Sequence, residues 1–278
     1  MDASEAAKNA LENVLQARSG ETILIICDEE KGEVGEAFAK DATALGLTTR
    51  FVILEKPETL RTEIPAALQE IMTQKADIYI NLLRDNREET PFRIQLIKTE
   101  TADHKSRLGH CPGVTSDMLT EGALALTAEE HKMMQSHAEK LMGALKDTVT
   151  VEISNTAGTN LTLSTKGRNF FTDTKLDWKT MKWMNLPTGE VIVAPVEDSL
   201  NGKLVCDMAV GGIGKLRQPV EVTAKNGRVE TVYSQDKEHL QRIKETFATD
   251  DWSDVVGEFA FGIKSSKADL QKSTYVST

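Results

Sequence analysis

Apolar positions in the first half of the chain recur at two alternating periods. Residues 4–18 place Ala7, Leu11, Val14 and Leu15 on one helical face, with Ser4 positioned as a cap. Residues 22–27 form an almost continuous apolar run ending in Cys27, the pattern of a strand buried on both faces. Helical spacing returns over 32–45 through Val34, Phe38, Ala42 and Leu45. A strand follows at 50–54, a helix at 64–72 and a third strand at 77–83. This β-α-β-α-β order predicts a parallel sheet covered by helices. Right-handed crossovers then bring the C-terminal ends of the strands to one edge, where such folds bind ligands.

The pattern continues with a helix over 91–98 and a strand and turn over 106–115. A short helix to Leu119 has Thr115 or Ser116 as its cap. The longest predicted helix covers 127–146 and opens on Thr127-Ala128-Glu129-Glu130, a capping box. Beyond it, short strand-like runs dominate, at 149–153, 160–163, 190–194, 203–206, 219–222 and 228–232. Turn signals at Gly158, Asn201-Gly202 and Asn226-Gly227 separate them, and one helix is expected over 239–247. The reading is an α/β, Rossmann-like N-terminal domain over residues 1–147 with a parallel sheet, and a β-rich (α+β) C-terminal domain over 148–278.

Composition narrows the class. Across 278 residues, 40% hydrophobic and 27% charged, the formal charge is −10. That balance argues against nucleic acid or an anionic membrane as partner, each of which wants a basic face. Cys27, Cys111 and Cys206 are odd in number, far apart and without a CxxC pair, so a reducing compartment fits better than a disulfide framework. The first residues have neither a basic region nor an apolar core, and no run approaches the ~20 apolar residues of a membrane span. The expectation is a soluble, cytoplasmic protein.

Nucleotide binding is disfavoured: after the first strand, Asp28, Glu29 and Glu30 crowd the turn, and no glycine-rich phosphate loop is present. His131 and His137 lie six apart on one helix, a poor spacing for paired ligands, and HExxH is absent. His104 and His239 read as solvated. His110 sits at a strand end beside Cys111-Pro112-Gly113, and a satisfied or solvent-facing role is favoured over a catalytic one. No serine or cysteine nucleophile motif occurs. Two carboxylates stand out. Glu190 follows Pro187-Thr188-Gly189, which fixes its entry into a strand, and Glu258 interrupts an apolar run where an unpaired charge is costly.

The segments Asn185-Leu186-Pro187-Thr188-Gly189-Glu190-Val191, Ala194-Pro195 and Val256-Gly257-Glu258-Phe259-Ala260, with the Asn201-Gly202 turn, resemble the aminopeptidase T and S family of metallopeptidases. The related dihydroxypyridine ring-opening dioxygenases share that outline. The resemblance implies an α/β domain followed by a β-rich domain, a homodimer, and Glu190 and Glu258 as two carboxylate ligands of divalent metal such as zinc, manganese or cobalt. The family's remaining ligands (histidines, an aspartate and a tyrosine) come later in its sequence. The 20 residues after Glu258 contain Tyr275 but no His. The implied site is therefore vestigial, with no catalytic residue and no bound cofactor, because two glutamates leave a metal short of donors. Members with this outline are similar to the peptide-binding accessory proteins of crocagin biosynthesis, which act on a ribosomally made precursor peptide.

Three functions compete on this reading. The first is an inactive, metallopeptidase-like protein that binds a peptide in an interdomain cleft and presents it to a partner biosynthetic enzyme. Its expected contacts are Asn185, Thr188, Glu190, Arg84 and Arg107, with Glu258 at the same site. Arg84 ends the third strand and is placed to pair a peptide carboxylate. The alternative is a metal-dependent aminopeptidase that releases N-terminal residues. The third is a scaffolding subunit, with Trp178 and Trp183 either at an interface or, as favoured here, in ordinary domain core.

Overall fold

A computed structural model of the chain describes residues 2–103, 105–177 and 181–264. His104, Trp178 and Tyr275 lie outside these residues. In chain order the helices are α1 (Ala3–Asn9, running on into a π-turn over Ala10–Val14), α2 (Gly32–Ala44), α3 (Ala66–Met72), α4 (Thr90–Thr101), α5 (Ser116–Thr120), α6 (Ala128–Leu145) and α7 (Lys237–Phe247). The strands are β1 (Thr22–Asp28), β2 (Thr48–Leu54), β3 (Ile78–Leu82), β4 (Arg107–His110), β5 (Thr150–Ser154), β6 (Asn160–Ser164), β7 (Phe171–Thr172), β8 (Trp183–Asn185), β9 (Glu190–Val193), β10 (Asn201–Cys206), β11 (Ala209–Val210), β12 (Gly214–Lys215), β13 (Val220–Lys225), β14 (Arg228–Ser234) and β15 (Phe259–Gly262).

Two compact units result: Met1–Ser136 with Asp173–Thr188, and His137–Thr172 with Gly189–Thr278. The expected single boundary near residue 147 differs from this because β8 returns to the first unit as the outer strand of its sheet. A strand of three residues carries too little pattern to announce that return.

The first unit is a parallel sheet in the order β2-β1-β3-β4-β8. Alternate residues of a strand project to opposite faces, and both faces are covered. Ile23, Ile25 and Cys27 pack with Leu11 and Leu15 of the first helical segment and Val34 and Phe38 of α2. Leu24 and Ile26 pack with Leu68 and Met72 of α3 and Phe92 and Leu96 of α4. Two-sided burial is why β1 reads as an unbroken apolar run. The β1–β2 connection therefore covers one face, while the β2–β3 and β3–β4 connections cover the other. The chain reverses direction across the sheet between β1 and β3.

The second unit is antiparallel. Five strands run β14-β13-β10-β6-β5 and a separate three-stranded sheet runs β15-β9-β7. The β13–β14 hairpin turns at Asn226 (φ 50°) and Gly227 (φ 77°), with Lys225 opposite Arg228. Two successive positive φ values are the reason this dipeptide occurs there. A Cβ on Gly227 would lie 1.6 Å from the backbone oxygen of Glu197, so the turn also needs glycine for space. The amphipathic helix α7 sets Ile243 against Cys206, Leu216 and Val220. Among the described residues no helix is long and apolar enough to cross a membrane.

Candidate functional site

Glu190 opens β9 directly after Gly189, whose φ of 140° is poorly tolerated by residues with a side chain. β9 is covered by β15, with Glu190 opposite Gly262, Val191 opposite Phe261, Ile192 opposite Ala260 and Val193 opposite Phe259. Opposed residues of an antiparallel pair share a face. Phe259 and Phe261 stack edge to face at 4.9 Å, and Phe170 approaches Phe261 at 6.4 Å. These aromatics share their face with the buried Val191 and Val193.

The other face carries Glu190, Ile192, Ala260 and Gly262. Glu258, one residue before β15, falls on it by alternation. A Cβ built on Gly262 meets nothing within 4 Å, so that face is open there. Glu258 stands four residues along the pair from Glu190, about 13 Å in strand rise. It is solvent-exposed and finds no hydrogen-bond or charge partner among the described residues. Desolvation of the carboxyl raises its pKa above the ordinary glutamate value.

Two carboxylates in this register do not make the convergent set of donors, each about 2 Å from one ion, that a hydrolytic metal centre requires. Among the described residues no group of three or more His, Cys, Asp or Glu is placed to hold a metal ion. Glu190 and Glu258, read as metal ligands from the sequence, thus share a face but occupy opposite ends of the strand pair.

The other expected contacts belong to the first unit, and their environments differ. Asn185 is exposed at the end of β8, level with His110 of β4. Thr188 is half-buried. Arg107 is only 2% exposed. Its guanidinium binds the carbonyls of Leu15 (2.7 Å) and Gln16 (2.8 Å) and the carboxylate of Glu21. It therefore closes the end of the first helical segment, which corrects its expected role as a peptide contact. Arg84 is committed to Glu89, so its fork is not offered to a ligand in this state. Trp183, favoured as core, is 41% exposed and meets the ring of His110 edge-on at 6.3 Å. His110 itself is buried, and its Nδ1 has no hydrogen-bond partner among the described residues. Burial, aided by Arg93, pushes its pKa down to about 4, so the ring is neutral at physiological pH.

A second polar constellation escaped the sequence reading. Asp28 ends β1, Arg84 follows β3, Arg61 reaches in from the segment after β2, and Glu89 closes the short 3-10 turn Arg87–Glu89. Arg61 binds Asp28, and the backbone N–H of Arg84 donates to the other oxygen of Asp28 at 2.7 Å. Glu89 accepts from five N–H groups. Three belong to Arg61, its backbone N at 2.9 Å, Nε at 3.3 Å and Nη2 at 3.4 Å. Two belong to Arg84, Nε at 2.9 Å and Nη2. Burial works to raise the pKa of Glu89, but the hydrogen bonds from Arg84 and Arg61 outweigh it and bring the value to about 2. The only sequence signal was Asp28 itself, an acid closing an apolar strand.

Two solved structures share the fold. The chain superposes on 2,5-dihydroxypyridine dioxygenase from Pseudomonas putida KT2440 with a TM-score of 0.65 at 15% identity, over 94% of this chain and 76% of that one. It superposes on wild-type AmpT from Thermus thermophilus with a TM-score of 0.62 at 14% identity, over 94% and 77%. Identities this low speak for architecture alone: a parallel sheet with flanking helices, followed by an antiparallel region. A search of curated proteins finds no match. The model of the thermophilic metalloprotease family M29 matches residues 124–278, a span that holds both Glu190 and Glu258. With more than half of its length matched, the chain belongs to the thermophilic metalloprotease family (M29).

Proposed function

We propose that this chain is a peptide-binding member of the metalloprotease fold, one that holds a peptide unhydrolysed on the β9–β15 strand pair for a partner enzyme. The observation that carries this reading is the shared face of that pair, open at Gly262, with Glu190 beside Gly262 at one end, Glu258 at the other, and Ala260 and Ile192 between. Carboxylates attract the cationic amino terminus of a peptide. Among the described residues β15 is also an edge strand, whose outer N–H and C=O groups can pair an added chain. The open space at Gly262 lets a backbone approach beside Glu190. Family membership supports the peptide as ligand class. The spread of the two glutamates supports binding over metal-assisted hydrolysis.

The second reading, a metal-dependent aminopeptidase, is favoured by one observation: both glutamates of the family resemblance project from the same face. Calorimetry separates the two. Short peptides with free and with acetylated amino termini are titrated in chelator, and separately in zinc, manganese or cobalt, and recovered for mass measurement. Saturable binding in chelator that is weakened by acetylation, with the peptide recovered intact, fits the first reading. Release of the N-terminal residue that requires metal and disappears in Glu190→Ala promotes the second. No binding by any peptide under either condition ends the first.

A further inference from the structure

Ligands of open α/β sheets settle where successive connections pass to opposite faces, at the carboxyl ends of the strands. In the first unit that point lies between β1 and β3, and the cluster of Asp28, Arg61, Arg84 and Glu89 occupies it. The cluster has three properties that a simple structural ion pair does not require. First, both guanidiniums converge on one carboxylate, whose two oxygens receive five N–H donors. Forked arginine donors matched to a planar carboxylate are the usual geometry of a ligand carboxylate's binding site. Second, the carboxylate comes from a segment otherwise turned to solvent. Asp85, Arg87 and Glu88 are exposed, while Glu89 alone is folded back and 2% exposed. Third, donor capacity is left over. Arg61 is 92% buried and lies 5.0 Å from the ring of Phe92, yet its Nη1 has no hydrogen-bond partner among the described residues. An unused buried donor is a standing cost that an added acceptor would remove.

We propose that Arg61 and Arg84 form a carboxylate-binding site at the β1/β3 edge, and that the chain's own Glu89 occupies it as a tethered ligand. Asp28 holds the site in shape: it neutralises one arginine and fixes the backbone of the other. Arg84 has the more accessible side chain of the pair and forms the solvent-side wall. An external carboxylate enters when the turn carrying Glu89 swings out, and the orphan Nη1 of Arg61 then gains an acceptor. The ligand class is a monocarboxylate, either a small organic acid or the carboxyl terminus of a peptide. This site lies in the other unit from the β9–β15 pair and does not depend on the function proposed for that pair.

The test empties the site in the full chain. Glu89→Ala removes the internal carboxylate and leaves both arginines. Sodium acetate is expected to raise the thermal midpoint of this variant saturably, measured against sodium chloride at matched ionic strength. The shift should be several-fold larger than in the wild type, where Glu89 competes. Glu89→Gln, which keeps the side chain in place, should lack the saturable response. A Glu89→Ala protein that folds only in acetate supports the proposal equally. An equal response in all three proteins overturns it, because acetate is then acting elsewhere. It is also overturned if Glu89→Ala is insensitive to acetate, or stays unfolded at every acetate concentration while Glu89→Gln folds. Alanine tripeptide with a free carboxyl terminus is then compared with its amide. A shift with the acid alone assigns the site to peptide termini, and a shift with acetate alone assigns it to small acids.

Discussion

Glu89 in the first unit and Glu258 in the second are the same residue type with opposite fates. Glu89 is buried among five donors, and its pKa falls to about 2. Glu258 is open to solvent and has no partner among the described residues, and its pKa rises through desolvation alone. Loss of hydration penalises both anions, nearly completely for Glu89 and only in part for Glu258, whose side chain still reaches solvent. What separates them is whether the fold delivers cationic hydrogen-bond donors to the spot. A carboxylate supplied with donors is part of the structure. One left without them among the described residues is, on the function proposed above, a contact for the amino terminus of a peptide. This contrast marks Glu89 as a structural member of its cluster, and on the proposed function it leaves Glu258 for a ligand.

The contrast is broken most directly by removing a cation. Arg61→Met leaves the buried Asp28 with only the backbone N–H of Arg84 and takes two guanidinium donors from Glu89, while the backbone N–H at position 61 still reaches it. Breaking one side of a buried ion pair costs about 3–5 kcal/mol. Urea unfolding should register that loss, and Glu258→Gln should change stability by no more than about 0.5 kcal/mol, as expected for an exposed side chain without partners. Equal effects of the two substitutions would erase the distinction between the units.

Acid titration sharpens the comparison. The folded pKa of Glu89 lies below its ordinary value of 4.5, so its stabilisation is complete above about pH 4.5 and is lost as the pH falls through about 2. Glu258 has the reverse sign. Its folded form holds the proton more tightly, so its contribution is favourable at low pH and is lost as the pH rises through its folded value. Other carboxylates, Asp236 among them, also titrate low. The informative quantity is therefore the difference between wild type and variant. Hydrogen exchange followed by mass spectrometry reads the two units separately through β3 and β10. Glu89→Gln should flatten the acid limb seen at β3. Glu258→Gln should raise protection at β10 near neutrality and leave it unchanged in acid. Slopes of the same sign for both variants would contradict the assignment.

The legibility of these features in the sequence follows their range. The run at 22–27 announced β1, since two-sided burial needs no partner to be recognised. Asn226-Gly227 announced its hairpin because two positive φ values restrict the residues allowed. The capping box is formed as expected: the N–H of Glu130 donates to Thr127 Oγ1 at 3.1 Å, and that of Thr127 donates to Glu130 Oε2 at 2.9 Å. Glu190 was legible through the turn that aims it. The placing of Glu258 at the far end of the same strand pair was not, because register between β9 and β15 is decided by packing across 65 intervening residues. Arg61 and Glu89 lie 28 residues apart in connecting segments without periodicity. Nothing in either segment marks them as partners, and Asp28-Glu29-Glu30 was read as repelling anions because the arginines that reverse the local charge arrive from elsewhere in the chain. Arg107 failed for a related reason: nothing in its segment shows that its guanidinium is used inside the unit, on the carbonyls of Leu15 and Gln16.

The smallest expected effect isolates burial from geometry. Arg217 of the second unit also forks onto a carboxylate, with Nε 2.6 Å and Nη2 3.1 Å from Asp236, and it reaches Glu238 at 2.6 Å. In hydrogen-bond count it resembles Arg61 with its two acids. The difference is solvent: the side chain of Arg217 is 59% exposed and that of Arg61 is 7% exposed. Exposed pairs gain little because water and salt screen the attraction and holding two long side chains costs entropy. Asp236 also keeps its second task without Arg217, since it caps α7 through the backbone N–H groups of Glu238 and His239 at 3.1 Å. Arg217→Met should therefore leave the urea midpoint unresolved from wild type, and about 1 M salt should remove any residual difference. A loss comparable to that of Arg61→Met would mean that the forked geometry, and not the exclusion of water, sets the strength of these clusters. The division drawn here between the two units would then have to be made on geometry instead.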